Sequence, residues 1–565
     1  MDIKGINKHS VHIVVLILIV FIFYTHTFDS GFMFDDYAQQ EMLKRIKNNQ
    51  REMNIFNFIT TPEEVREYTQ MTVIPWWTSS NWRVKYFRPL ATFSHLIDYS
   101  IWGRNPLPYH INNVIWYAML VALLYLLYYS FCNHGAMAFC GALVFALEPC
   151  HYLTVRWPAS RNDIICATFL VASFICYIHF CKKRRILYST LFILSYLLAL
   201  LSKELAFLFP VLIVAYDWIQ YKRFKEIVKC HWNVYLPLLI INSIYFAFYH
   251  AYDYGSYWYG ETSLREYSLA FLKATSLYLN SLFYGVVIAA LSPDVFSRYW
   301  LIIIVLLLFL FYILYLIWEQ RRHYPEISLF MLWIVLLLPF IIVPPINDRL
   351  LLIPSIGYAY LAALAIFKLV RKRLALFFIA TGLLFPPITN IIQAHVYDEV
   401  LQSNFKRLYS ALDEIVHKKT SRDRLFFINF PRVGLAGENY MYLELYLSLY
   451  YHYPQWKVPV YPLSAFDDKV SVELLDDHHM KISHPTRFYF ETNTEKLFSL
   501  DRSFSQGETF SLPDVKIIID KIEEGKVKSL EVEFAESVDN RFYYFLYFDR
   551  GRWQRWYPQE NKKPF

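Results

Sequence analysis

The sequence predicts an α-helical polytopic membrane protein of about eleven spans, with a C-terminal α/β or α+β domain outside the cytoplasm. Three observations carry that reading. The 565 residues are 56% hydrophobic and 19% aromatic and only 18% charged, whereas a soluble domain carries about 25% charge. Mean hydropathy is +0.26. The apolar residues also gather in runs of roughly 20, the length a helix needs to cross the hydrocarbon core.

The first run, "VHIVVLILIVFIFYTHTF", follows a short segment carrying Lys4 and Lys8. No small-residue cleavage site follows it, so it reads as a retained span and not a signal peptide. The expected spans are 10–27, 109–132, 136–150, 162–180, 186–202, 205–220, 233–252, 299–318, 327–345, 350–367 and 374–393. The basic clusters "KKRR" (182–185), "YKRFKEIVK" (221–229), "EQRRH" (319–323) and "KLVRKR" (368–373) all fall on one side of such a bundle. The positive-inside rule makes that side cytoplasmic and the N-terminus with it. Residues 268–291 are apolar enough to span. Counting them would invert the last two clusters, so they read as a re-entrant or interfacial hairpin.

This divides the chain into a membrane domain (1–393), with a first outer loop at 28–108, and an outer soluble domain (394–565). The loop has helical stretches such as "YAQQEMLKRIKNNQREMNIFNFI". The tail opens with the amphipathic run "VYDEVLQSNFKRLYSALDEIV". The segment "RLFFINFP" reads as a buried strand, followed by a Gly-containing loop and a second helix; "VKIIID", "SLEVEFAE" and "RFYYFLYFD" read as strands. The seven cysteines sit in or beside apolar runs with no CxxC spacing, and read as small apolar residues. The "DDHH" stretch (476–479) reads as an ordinary acidic and histidine-bearing loop in preference to a metal site. Nothing points to nucleic acid.

Ionisable residues at membrane depth are costly, about 2.5–3.5 kcal/mol each at a helix centre, and so mark function. Distant positions converge on the outer ends of the expected spans: Asp35 and Asp36, Arg88, Glu148 and His151, Arg161 and Asp163, Lys203 and Glu204, Asp348 and Arg349. Carboxylates there suit proton abstraction from a hydroxyl. Guanidinium and ammonium groups suit a phosphate. A phosphate-bearing lipid presents its headgroup at that depth. The set therefore suits glycosyl transfer from a lipid phosphate. Each member also has a structural reading: a helix cap for the aspartates, a hairpin turn for Lys203–Glu204, a helix-start ion pair for Arg161 and Asp163, a snorkelling anchor for Arg88, a satisfied interfacial histidine for His151. A transporter or flippase of lipid-linked sugar and a non-catalytic envelope glycan assembly protein are the alternatives. The first would favour an inverted repeat, and the sequence has none.

Five phrases, in order over about residues 1–395, resemble the GT-C glycosyltransferases, closest to protein O-mannosyltransferases including the membrane enzymes with TPR repeats. They are "FMFDDY", "YFRPLATFSHLIDYSIWGRNPLPYHINNVIWY", "EPCHYLTVRWPASRNDIICATF", "LSKELAFLFPVLIVAYDW" with its trailing Tyr-Asp, and "NDRLLLIPSIGY". The resemblance implies a GT-C-like fold and a polyprenyl-phosphate sugar donor, mannose or another hexose or pentose. The acceptor would be a protein, lipid or glycan hydroxyl. Asp35 would be the base and Asp36 its neighbour, orienting the acceptor or a metal. Arg161, Arg349 and Lys203 would hold the donor phosphate, with Arg88, His151, Asp163 and Glu204 supporting. A Mg²⁺ or Mn²⁺ ion at Asp35 and Asp36 is the one possible cofactor. The sequence departs from the family pattern at Glu148, at Trp157-Pro158 and after the aspartate pair. The tail has no repeat of roughly 34 residues. That tail resembles a bacterial relative, which implies a bacterial inner membrane with the tail outside.

Overall fold

The computed structural model describes residues 8–33, 35–71, 74–222, 224–256, 315, 318–337, 348–368, 403–415, 420–430, 459–464, 466, 469–491, 493–500, 502–549 and 552–558. The membrane part is a helical bundle. Its long members are α1 (Lys8–Tyr24), α5 (Pro106–Cys132), α8 (Arg161–Lys183) and α11 (Phe224–Ala251). Shorter ones are α6 (Gly135–Ala146), α9 (Ile186–Leu200), α10 (Phe209–Tyr221), α12 (Glu326–Leu337) and α13 (Ser355–Lys368). Nine of the eleven expected spans thus have a helix among the described residues. The expected spans 299–318 (apart from its final residues) and 374–393, and the hairpin 268–291, lie outside them.

Among the described residues, five helical segments can cross a membrane unaided by length and apolarity, and a sixth can if a bent pair is counted as one span. The chain is an integral, multi-pass membrane protein. The bent pair corrects the uniform span expected at 136–150. α6 ends at Ala146, and the chain turns 50° into the segment Pro149–Arg156, whose last turn is α7 (Tyr152–Arg156). Pro149 has no N–H to continue the helix, and Glu148 before it is extended. The expected span at 205–220 likewise starts with a 3₁₀ turn, Glu204–Leu208.

α5 starts where Asn105 accepts a hydrogen bond from Leu107 N (3.2 Å) with Pro106 in the first turn. It runs through the bundle core, packed against α1, α6 and α8. α12 and α13 cross closely at Gly357, where a Cβ would lie 2.5 Å from the Phe330 carbonyl oxygen. Only glycine lets those backbones approach so far.

The loop 28–108 folds into α2 (Asp35–Lys47), α3 (Pro62–Gln70) and α4 (Pro89–Trp102). Helix is expected beyond residue 47, but the chain leaves it: Asn49 has φ 56°, and residues 57–59 form strand β1. β1 pairs with β2 (Val84–Lys85), which pairs with β3 (Gly255–Ser256) just after α11.

The tail carries two sheets. The amphipathic run contributes α14 (Ser403–Ile415). A mixed sheet orders β12 (Arg552–Trp556), β11 (Tyr543–Asp549), β4 (Arg424–Phe427) and β5 (Val460–Pro462), with β4 parallel to both β11 and β5. An antiparallel sheet orders β6 (Ser471–Leu474), β7 (His479–Ser483), β10 (Lys526–Phe534), β9 (Val515–Glu523) and β8 (Thr509–Ser511). Phe426 joins the two, stacked on Tyr461 and Phe545 in its own sheet and edge-on to Phe534 of the other. The Gly-containing loop and second helix expected after β4 fall at 431–458, outside the described residues. "DDHH" is the β6–β7 hairpin turn, with Asp476 Oδ1 accepting from His478 N (2.7 Å) and His479 N (2.9 Å).

The loop and tail are not separate bodies. Trp76 donates to the Pro462 carbonyl (2.9 Å) and packs edge-on to Phe490 and Phe510. Trp82 stacks on Phe498, and Ser79 N donates to Phe498 O (2.7 Å). The stretch "WWTSSNW" thus belongs to the core of the outer domain.

Candidate active site

Asp35 and Asp36 open α2, where the dipole of the helix start favours negative charge. The two side chains have different surroundings. Asp36 is buried, its Oδ2 accepting from Met33 N (2.9 Å) and its Oδ1 from Ala159 N (2.8 Å). It pins the start of α2 to the turn before α8. Burial pushes its carboxyl up to about 8 against those two N–H bonds, with the neighbouring Asp35 charge adding to the rise. Asp35 is half-buried. Among the described residues its carboxylate has no hydrogen-bond partner. Burial raises its pKa, and the Arg349 charge beside it opposes the rise.

Arg349 stands in the 3₁₀ turn Asp348–Leu351, half-buried. Its Nη1 donates to Ser160 Oγ (3.1 Å), and its guanidinium lies 4.5 Å from the Trp157 ring centroid. Trp157 Nε1 in turn donates to Met33 O (3.2 Å), and buried Arg156 donates from Nε to Ser30 Oγ (3.1 Å). The broken segment between α6 and α8 therefore forms one wall of the site, with Ser30, Met33, Asp35 and Asp36 on the other side.

The other expected phosphate ligands are differently placed. Arg161 is fully buried, and all its nitrogens have acceptors. Nε donates to Asn113 Oδ1 (2.6 Å), Nη1 to Asp98 Oδ2 (2.5 Å) and Ser94 Oγ (3.1 Å), and Nη2 to Tyr109 O (3.0 Å). It ties α4, α5 and α8 together beneath the aspartates. This corrects its expected place on a phosphate: a sealed guanidinium with four acceptors has nothing to offer a ligand without opening the fold. Lys203 is buried against Asp163 in an ion pair. Arg88 and Glu204 form a two-pronged ion pair (3.0 and 2.6 Å), with the guanidinium over the Tyr86 and Phe56 rings. The Arg88–Glu204 pair joins the loop to the bundle, and the Lys203–Asp163 pair ties α8 to the turn after α9.

His151 is hydrogen-bonded within the bundle. Its Nδ1 meets Tyr117 Oη (2.7 Å) and Phe145 O (3.0 Å), and its Nε2 meets Ser355 Oγ (2.7 Å). It is a buried scaffold residue, as its structural reading expects. Glu148 is buried in the turn before α7.

Sequence reasoning passed over Asp98, Asn113, Arg156 and Ser160. Asp98 and Asn113 lie inside the quoted "RPL…INN" phrase, on the faces of α4 and α5 that meet Arg161. Their helical spacing was the available signal.

The aspartate pair fits a divalent cation poorly. Both Asp36 oxygens already hold backbone N–H groups, which leaves Asp35 as the main donor, whereas Mg²⁺ needs near-octahedral oxygen coordination.

No protein-family model matches the chain. It is 33% identical to the protein O-mannosyl-transferase TMTC2 of mouse, and of human, over 100 residues, or 18% of this chain and 12% of each relative. It is 24% identical to a protein O-mannosyl-transferase of Caenorhabditis elegans over 230 residues, covering 40% of this chain and 30% of that one. The matches thus span well under half of the relatives' length. Among solved structures, an Archaeoglobus fulgidus oligosaccharyltransferase superposes with a TM-score of 0.41 and 14% identity, over 72% of this chain and 58% of that one. Over those stretches, the chain is similar to the protein O-mannosyl-transferases.

Proposed function

We propose that the chain is a membrane glycosyltransferase that moves a sugar from a polyprenyl-phosphate carrier to an acceptor hydroxyl at the outer membrane face, with inversion. The observation that carries this is the half-buried, unbonded carboxylate of Asp35 beside the half-buried guanidinium of Arg349. Asp35 takes the proton of the acceptor hydroxyl. The hydroxyl oxygen bonds to the anomeric carbon, and the phosphate leaves with the electrons of the broken carbon–oxygen bond. Arg349 neutralises the departing phosphate, while Lys203 stays in its ion pair with Asp163. Arg161 serves as framework. No step is assigned to a cation, since Asp36 is engaged by backbone.

The relatives' name favours a protein hydroxyl as acceptor, with a lipid or glycan hydroxyl as the other choice, and mannose as the sugar. The basic clusters at the far ends of α8, α10 and α12 favour a cytoplasmic side for that end and an outer side for the aspartates.

The test uses the purified full chain in detergent with polyprenyl-phosphate mannose and hydroxyl acceptors, read by mass spectrometry of the product. Asp35→Asn removes the base and keeps the side chain's shape, so turnover falls by about 10²–10⁴. A variant retaining more than about a tenth of turnover refutes the base assignment. A carrier for lipid-linked sugar would give no covalent product at all.

A further inference from the structure

A second cluster of reactive side chains lies at the opposite end of α8. Cys181 is 20 residues past Arg161, about 30 Å along the helix. There it meets Asp217 of α10, the aspartate of the Tyr-Asp pair, and His231 of α11. One ligand-type atom from each of the three lies within 4.8 Å of the others.

Asp217 and His231 are fully buried. Asp217 Oδ2 accepts the Tyr177 and Tyr235 hydroxyls and sits 2.6 Å from His231 Nδ1. Its Oδ1, equally buried, has no hydrogen-bond partner among the described residues. A carboxylate oxygen sealed from water without a partner is costly. The second oxygen is held in place by two tyrosine hydroxyls, an arrangement that orients a metal-binding carboxylate. The Tyr221 hydroxyl lies 3.5 Å from His231 Nε2 and accepts from Arg184.

We propose that Cys181, Asp217 and His231 form a zinc site that joins α8, α10 and α11 at the end of the bundle remote from the aspartates. Thiolate, imidazole and carboxylate together select a borderline-soft ion such as Zn²⁺ over Mg²⁺ or Ca²⁺. Zn–ligand bonds are about 2.0–2.3 Å, so tetrahedral ligands stand well inside the separation found here. The charges also balance: a thiolate and a carboxylate carry −2, and one Zn²⁺ neutralises them in a low-dielectric setting. Binding releases the thiol proton, while the neutral imidazole keeps its one N–H on the ring nitrogen turned away from the metal. Three protein ligands leave one position for water.

The experiment is metal analysis of the full chain purified in detergent, followed by exchange with Co²⁺. One zinc per chain is expected, with a near-ultraviolet thiolate-to-cobalt band after exchange. Cys181→Ala is expected to lower bound metal at least tenfold and abolish that band. A folded wild-type chain that holds less than a tenth of an equivalent after zinc loading overturns the site, whatever the variants do. So does a cobalt band that persists in Cys181→Ala. Because the wild-type stoichiometry alone decides, failure of a variant to fold leaves the proposal testable.

Discussion

Asp98→Asn decides what Arg161 is for. Both members of the Arg161–Asp98 pair are fully buried, so solvent screening does not discount their interaction. The substitution keeps the shape of residue 98 and removes its charge. The guanidinium then stays buried with only the neutral acceptors Asn113, Ser94 and Tyr109 O. Breaking a buried pair from one side costs about 3–5 kcal/mol. The three surviving acceptors put this case near about 3 kcal/mol, or about two orders of magnitude in the folding equilibrium. The measurement is equilibrium unfolding in mixed detergent micelles, followed by tryptophan fluorescence. The companion is the double replacement Asp98→Leu with Arg161→Met. Swapping a whole buried pair for apolar side chains of similar volume is often neutral or stabilising by about 1–4 kcal/mol. A loss below about 1 kcal/mol for Asp98→Asn, or a double variant as unstable as the single one, refutes the framework role. A well-folded double variant whose glycosyl transfer falls more than about 100-fold returns Arg161 to the donor phosphate.

Asp36→Asn replaces one acceptor oxygen with an NH₂ group that faces a backbone N–H, of Met33 or of Ala159; about 1–3 kcal/mol of stability is expected to go, read by the same unfolding assay. Trp76→Ala empties a buried aromatic site between loop and tail; a loss of about 3–5 kcal/mol is expected, with proteolysis appearing in both segments together. The pH dependence follows from the direction of the Asp35 shift. A base must be ionised, and its pKa is raised by burial, so transfer is expected to rise with pH through a midpoint above the usual carboxylate value of about 4. A pH–rate profile flat from pH 4 to pH 8, chosen as about four units spanning that midpoint, contradicts the assignment. For Asp36, whose folded value is about 8, the raised pKa means stability is greatest below about pH 4 and declines as pH rises towards 8. The Asp36→Asn variant is expected to lose that slope in a pH series of unfolding midpoints.

Much of the membrane part was legible because apolar runs of helical length have few other uses. Helices appear at nine expected spans, and "RLFFINFP", "VKIIID", "SLEVEFAE" and "RFYYFLYFD" each contain a strand. The short strands β5, β6, β7, β8 and β12 were missed because three to five residues carry little periodic signal. The bend after α6 had its signal in Glu148-Pro149, which the expected span 136–150 ran through because the apolar run resumes beyond them. The polar positions near the outer span ends were also visible, since each is expensive at membrane depth.

Hydropathy and charge spacing alone were enough to indicate a membrane-embedded bundle, its polar end and a C-terminal domain with strands, because those patterns report solvent directly. The division of roles within the polar end came only from packing. Asp35 and Asp36 are chemically identical neighbours. One faces the backbone of residues 33 and 159, and the other faces Arg349. Arg161 and Arg349 are the same residue type, yet one is sealed by four acceptors and the other is half-exposed. Which charge meets which partner depends on contacts between segments more than 40 residues apart, and no local pattern records such a contact.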